Sequence, residues 1–396
     1  MHLYNSLSRK KEKFIPLENK TVKMYVCGIT PYDTTHLGHA FTYVFFDSLR
    51  RYLEYSGYKV LYTQNVTDVD DDILRKATEE NKDWKKLGEY WTNRFLTDIE
   101  HLNVLRPTYY VKATDSILKI IEITKELVKK GFAYEKSGNV YFNISKFRDY
   151  GELSHFNKNQ MICISKERGG YPGDPLKKNP LDYILWQKSK DMEPFWESPW
   201  GKGRPGWHTE CSSMIEQYLG HQIDIHGGGR DLIFPHHESE IAQSESYTEK
   251  YPFVKYWLHT SMVLYEGEKM SKSLGNLIMI SDLLKRFSPN VIRFVLLSHH
   301  YRLPWEFEDI ELEIAQKSIK LIEEALSLKT DLIMKKIEDT YFKKFESFMN
   351  NDMDTPSALI NATHTAKKII RNGKKFDASK LQASLRKMLK VLGFVF

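Results

Sequence analysis

The chain is poor in cysteine, with only Cys27, Cys163 and Cys211 among its 396 residues. Three widely spaced thiols do not make a disulfide framework; metal-binding and catalytic roles stay open to them, and a reduced, cytoplasmic setting is expected. No run of about 18 apolar residues occurs, so no membrane span and no membrane partner are expected. The segment from Met1 to Lys10 lacks the apolar core of a signal peptide. Internal repeats and low-complexity tracts are absent. Neither sign of charge dominates: 58 Lys and Arg against 52 Asp and Glu give +6, a bias compatible with an anionic partner but not diagnostic of nucleic acid.

What is present is ordinary for a globular enzyme. Hydrophobic residues make up 41% and charged residues 28%, and the length allows two or three domains with a large core. Basic clusters at Arg9–Lys13 and Lys367–Lys375 read first as solvated faces. Residues 21–27 read as a buried strand. The turn-rich stretch 28–35 follows, and then Leu37, Ala40, Phe41, Val44, Phe45, Leu49, Tyr52 and Leu53 recur at helical spacing. Gly57 is a stop signal for that helix, and 59–66 reads as a second strand. Strand, helix, strand in this order is a βαβ unit, which implies a parallel sheet and an α/β fold. Residues 82–131 read as two amphipathic helices and 139–143 as a strand. The segment 144–206 has little periodicity, and 105–205 reads as an insertion. The α/β pattern resumes at Gln222–Ile225, followed by Gly227, Gly228 and Gly229. From 306 onward the pattern is helical, with Leu312, Ala315, Ile319, Ile322 and Leu326 on one face. Thr355 and Pro356 read as the cap and first residue of a further helix. The expected division is 1–104, 105–205, 206–305 and 306–396.

Two motifs carry chemistry. His36-Leu37-Gly38-His39 sits where the first helix begins. A helix N-terminus favours anions, two imidazoles there can donate to phosphate oxygens, and Gly38 lets a nucleotide approach the backbone. Lys269-Met270-Ser271-Lys272-Ser273 lies in a polar loop after a hydrophobic strand, bracketed by Gly267 and Gly275, which would let it move as a lid. Lysine is a mobile point charge suited to a phosphate whose charge grows in a transition state. A third constellation is dispersed. Cys27 ends the first strand, Cys211 follows Gly206-Trp207-His208-Thr209-Glu210, and His236 and Glu240 share one face of a helix begun by Pro235. Two cysteines, a histidine and a glutamate are an acceptable zinc set, although spacing alone does not show that the four converge. The run Asp68, Asp70, Asp71, Asp72 reads as an acidic helix start, and Cys163 as a structural thiol.

The paired motifs resemble the signatures of class I aminoacyl-tRNA synthetases, whose Rossmann-type catalytic domain is split by a connective insertion. Val26–Asp33, Asn65–Asp71, Gly203–His208, Phe234–Glu240 and Asp352–Pro356 narrow the resemblance to the cysteine-specific branch, from about residue 20 to the end. That resemblance implies a Rossmann-type domain in two halves, 1–104 and 206–305, an insertion at 105–205, and an all-α bundle at 306–396. It implies ATP contacts at His36, Gly38, His39 and Lys272, with Lys269 and Lys272 offsetting charge at the α-phosphate and Mg²⁺ accompanying ATP. It also implies one zinc on Cys27, Cys211, His236 and Glu240 that takes the thiolate of L-cysteine, in a pocket with Thr67, Trp207 and His208. Zinc prefers sulfur over the harder, less acidic hydroxyl of serine, which a pocket reading shape alone would hardly separate. The expected acceptor is tRNA(Cys), and a monomer is expected. The chain ends where the family's anticodon-reading tail would begin, so weaker dependence on anticodon bases is expected. Glu167-Arg168-Gly169-Gly170 looks closer to the related mycothiol-biosynthesis ligase, which passes cysteine to glucosaminyl-inositol. Against that alternative, Glu240 keeps the synthetase-like fourth zinc position, and the Lys- and Ile-rich composition does not look actinobacterial. A further alternative is an inactive paralogue that binds RNA or nucleotide; the intact His36, His39, Lys269 and Lys272 argue against it.

Overall fold

The computed structural model describes residues 1–32, 35–270, 274–329, 340–372 and 377–396. Its centre is a five-stranded sheet in the order Val254–Thr260, Ile223–Gly229, Thr21–Ile29, Lys59–Val66, Tyr109–Lys112, and every neighbouring pair is parallel. The chain starts in the middle strand and winds outward on both sides. The reversal between Thr21–Ile29 and Ile223–Gly229 opens a crevice at the carboxyl ends of the strands, where a Rossmann-type sheet binds its ligands.

The expected βαβ unit is present. Helix Leu37–Tyr55 buries Leu37, Ala40, Phe41, Val44, Phe45, Leu49, Tyr52 and Leu53. It stops where Gly57 takes φ +91° and its amide donates to the Glu54 carbonyl at 3.1 Å. The glycine run at 227–229 lies inside the strand rather than after it. A side chain on Gly227 would come within 2.0 Å of the Phe46 ring, so the missing Cβ lets the helix pack closely on the sheet. The acidic run does start a helix: Asp70 accepts from the Asp72 amide at 2.8 Å and caps Asp71–Glu79.

Elsewhere the structure differs from the expectations. Between helices Trp84–His101 and Ile117–Lys129 runs the strand Tyr109–Lys112, which pairs with Lys59–Val66 in the main sheet although it lies inside the expected insertion. The rest of that stretch holds a four-stranded antiparallel sheet of Ala133–Lys136, Asn139–Phe142, Tyr183–Lys188 and Gly203–Pro205. An unanticipated hairpin, His2–Asn5 with Lys10–Lys13, covers the edge strand of the main sheet. Asn5 there accepts from the Trp257 amide at 3.1 Å and donates to the Lys255 carbonyl at 3.0 Å. Cys163 is exposed, so it is not a core thiol. No helix among the described residues is long and apolar enough to cross a membrane.

Among the described residues the C-terminal part forms helices Asp309–Ser327, Tyr341–Asn350, Thr355–Asn372 and Ser379–Val391. The cap of the third helix is Asp354, whose carboxylate accepts the Ser357 amide at 3.1 Å, and Thr355 is already helical. The bundle is tied to the α/β part through Arg293 on helix Pro289–Leu297. Its buried guanidinium donates to the Leu392 carbonyl at 2.6 Å and the Leu102 carbonyl at 2.8 Å, and pairs with buried Asp47.

Candidate active site and metal centre

A cavity of about 390 Å³ fills the crevice at the strand ends, within the size range of small-molecule sites. Its wall combines His36, Gly38 and His39 with Cys27, Thr67, Trp207, Cys211 and His236, and with Lys269. The two stretches that sequence reading set far apart therefore face one space. His36 is the N-cap of helix Leu37–Tyr55, its Nδ1 accepting from the Gly38 amide at 3.1 Å, and its ring stacks on His39 with centroids 3.8 Å apart. The second motif is brought in by the segment that follows it. The Leu37 amide donates to the Ile278 carbonyl at 2.8 Å, and the Ile280 amide to the Thr35 carbonyl at 3.0 Å. Lys269 lies with its Nζ 3.8 Å from Asp231 Oδ2, at a carboxylate that also lines the cavity. Lys272 falls outside the described residues.

The dispersed constellation converges. Cys27 Sγ is 3.8 Å from Cys211 Sγ and 3.9 Å from Glu240 Oε1, and His236 Nε2 is 3.1 Å from the same Glu240 oxygen. The four ligand atoms all lie within 4.8 Å of one another, and all four residues are buried. A tetrahedral zinc ion would hold its ligand atoms about 3.3–3.8 Å apart, so the set fits one ion with little movement. The chemistry fits as well. Burial pushes the Cys27 thiol and the Glu240 carboxyl well up, and a divalent cation between them is what would hold both as anions. Gly28, next to Cys27, has no room for a side chain, because a Cβ there would fall 1.5 Å from the Asn65 carbonyl oxygen.

A second buried group of suitable donors, Cys27, His226, His237 and Glu240, overlaps the first. Only its Cys27 reaches the cavity, whereas Cys27, Cys211 and His236 of the first group all do. The second pair of histidines instead supports the first set from behind. His226 Nε2 lies 2.9 Å from Glu240 Oε2, leaving Oε1 toward the sulfurs. His237 Nε2 lies 3.3 Å from Cys27 Sγ, and its Nδ1 is 2.8 Å from His259 Nε2. Burial drives the pKa of His237 well down and lowers those of His226 and His259 to about 3. Sequence reading missed all three; histidines within the strands Ile223–Gly229 and Val254–Thr260 and one beside His236 were the available signal. His208 also sits behind the wall rather than on it, its Nδ1 3.1 Å from His236 Nδ1. Trp207 does face the cavity, its ring stacked on His236 at 4.5 Å.

Comparison with known proteins identifies the family and the fold. Residues 13–317 match the family described as tRNA synthetases class I (C) catalytic domain. A cysteine–tRNA ligase of Dehalococcoides mccartyi is 46% identical over 98% of this chain and 86% of its own length. One from Thermococcus onnurineus is 44% identical over the whole of this chain and 85% of its own. Among solved structures, Mycobacterium tuberculosis methionyl-tRNA synthetase in complex with methionyl-adenylate superposes with a TM-score of 0.67 at 16% identity, over 94% of this chain and 89% of that one. That likeness speaks to the fold, a class I catalytic domain. Fold, matched domain and full-length relatives together place the chain in the class I cysteine–tRNA ligase family.

Proposed function

We propose that the chain is a ligase that activates L-cysteine with ATP and charges tRNA(Cys), acting as a monomer in the cytoplasm. The observation that carries this reading is the convergence of Cys27, Cys211, His236 and Glu240, the first three of them on the wall of the same cavity that His36, Gly38, His39 and Lys269 line. In the first step the cysteine carboxylate attacks the α-phosphorus of ATP and pyrophosphate leaves; Mg²⁺ accompanying ATP would offset phosphate charge. His36 and His39, at the helix N-terminus, position phosphate oxygens, and Gly38 admits the nucleotide to the backbone. Lys269 and Lys272 offset the charge that builds up at the α-phosphate. Zinc, when bound by Cys27, Cys211, His236 and Glu240, supplies a sulfur-selective Lewis acid at the cysteine end of the cavity. Thr67 and Trp207 confine the substrate there, and His208 holds His236 in place. In the second step a ribose hydroxyl at the tRNA 3′ end attacks the acyl carbon and AMP leaves.

The reduced thiols suit a cytoplasmic setting. For the domain division we propose two catalytic halves, an insertion and the bundle from 306. The first half extends from 104 to Lys112, because Tyr109–Lys112 belongs to the main sheet. Lys367, Lys368 and Arg371 are exposed on helix Thr355–Asn372 and suit a polyanion; Lys335, Lys336, Lys374 and Lys375 lie outside the described residues. The named relatives do not favour the amino-sugar alternative.

Metal analysis is expected to return about one zinc per chain, and pyrophosphate exchange is expected with cysteine and not with serine. Charging of tRNA(Cys) should weaken roughly tenfold or more between 50 and 200 mM salt through counterion release. Exchange with cysteine accompanied by transfer to glucosaminyl-inositol, with no charging of tRNA, would overturn the acceptor.

A further inference from the structure

We infer that Ser6, in the turn of the N-terminal hairpin, is a positioning residue for the metal centre, acting through a chain of two histidines on Cys27. The inference rests on the reading of Cys27 as a zinc ligand. Ser6 Oγ lies 2.8 Å from His259 Nδ1, His259 Nε2 lies 2.8 Å from His237 Nδ1, and His237 Nε2 lies 3.3 Å from Cys27 Sγ. Each histidine uses both ring nitrogens in this chain. His237 is fully buried and His259 nearly so, so neither ring can turn to water for another partner.

The direction of the hydrogen bonds follows from the sulfur. A cysteine that ligates zinc is a thiolate and offers no proton, so His237 Nε2 must carry the hydrogen and donate it to Sγ. In the neutral ring His237 Nδ1 is then an acceptor, and it takes the hydrogen from His259 Nε2. His259 Nδ1 is an acceptor in turn, and the group that faces it is the Ser6 hydroxyl. The thiolate thus sets the tautomer of both rings, and the serine O–H supplies the donor that this tautomer requires at His259 Nδ1. An N–H donated to a ligating sulfur stabilises its negative charge and lowers its donor strength, which leaves the metal more receptive to a further sulfur, that of the substrate.

Ser6 is built into place by contacts independent of its hydroxyl. Its amide donates to the Trp257 carbonyl at 2.9 Å, and its neighbour Asn5 is bonded to the Trp257 amide and the Lys255 carbonyl. Removing the hydroxyl therefore leaves the hairpin on the sheet edge. It deprives His259 Nδ1 of its donor and so weakens the chain that holds the His237 Nε2–H on the sulfur.

The test uses the full chain loaded with Co²⁺ in place of zinc, where the thiolate-to-cobalt absorption reports directly on the ligating sulfurs. In Ser6→Ala that band should move to lower energy, because a sulfur without its N–H donor is more easily oxidised. Metal affinity, measured by competition with a chelator at neutral pH, should fall about tenfold, the lower end of losses at residues behind a metal site, because a sulfur without its N–H donor holds its proton more tightly against the metal. The KM for cysteine in pyrophosphate exchange should rise more than kcat falls. Ser6→Thr, which keeps the hydroxyl, should restore all three. An unshifted band and parental affinity in Ser6→Ala would overturn the relay, as would a Ser6→Thr variant that behaves like Ser6→Ala. A parent chain that takes up no metal would instead overturn the metal reading itself, and the relay with it.

Discussion

Cys211→Ser loses its metal and its cysteine-dependent pyrophosphate exchange together. Cys211 is almost fully buried on helix Trp207–Tyr218, its sulfur 3.8 Å from that of Cys27 and on the cavity wall. Serine keeps the shape within one atom, so packing changes little. The hydroxyl, however, is a hard, weakly acidic group that does not ionise at neutral pH to replace a thiolate. Residues behind a metal site typically cost about 10–100-fold in affinity or activity when removed, and a direct ligand should exceed that. Zinc should fall from about one per chain to below about a tenth, and exchange by on the order of 10³-fold. Circular dichroism of the variant separates metal loss from unfolding, and Cys163→Ser, at an exposed thiol, is the control that should change neither quantity. A Cys211→Ser protein with stoichiometric zinc and near-parental exchange would remove the thiolate set from the mechanism.

Lys272→Ala slows adenylate formation by about 10²-fold or more while leaving cysteine binding within roughly threefold, by analogy with loss of one oxyanion donor. Such a loss corresponds to about 2.7 kcal/mol of transition-state stabilisation. The segment is anchored on both sides of Lys272. Met270 and Leu277 line the cavity, and Asn276 Nδ2 donates to the carbonyls of Lys269 and Tyr265 at 3.3 and 3.4 Å. Single-turnover formation of the adenylate at saturating cysteine measures the effect. A near-parental rate would exclude this loop from catalysis, and an effect confined to the KM for cysteine would assign it to binding instead.

The features legible in the amino-acid pattern were the local ones. The 59–66 strand and the helical face of Leu37–Tyr55 follow from side-chain periodicity, which needs no knowledge of partners. Tyr109–Lys112 is only four residues long and makes its hydrogen bonds with a strand more than forty positions earlier, so nothing in its own composition marks it. The hairpin strand Lys10–Lys13 has three lysines and one glutamate; its stability comes from its partner and the covered sheet edge, not from an apolar alternation. The site divided in the same way. His36 and Gly38 act through a helix end that sequence can place. Cys27, Cys211, His236 and Glu240 come from separate elements, and their grouping came from family resemblance, since spacing alone did not imply it. His226, His237 and His259 act only by touching those residues or one another, a relation that three-dimensional proximity alone defines.

Arg293 also bears on how the molecule comes apart. Its guanidinium takes acceptors from three regions at once: Asp47 on the helix that begins at the nucleotide motif, Leu102 ahead of the insertion, and Leu392 at the end of the bundle. Undocking the bundle would strip the Leu392 carbonyl from a buried cation, and losing a hydrogen bond to a charged group costs about 1.5–3 kcal/mol. Partial opening at the boundary near 306 is therefore no cheap excursion. The α/β part and the helices should melt as one cooperative unit, giving a single calorimetric peak whose van't Hoff and calorimetric enthalpies agree. The line that divides the chain by architecture is not a line of thermal weakness.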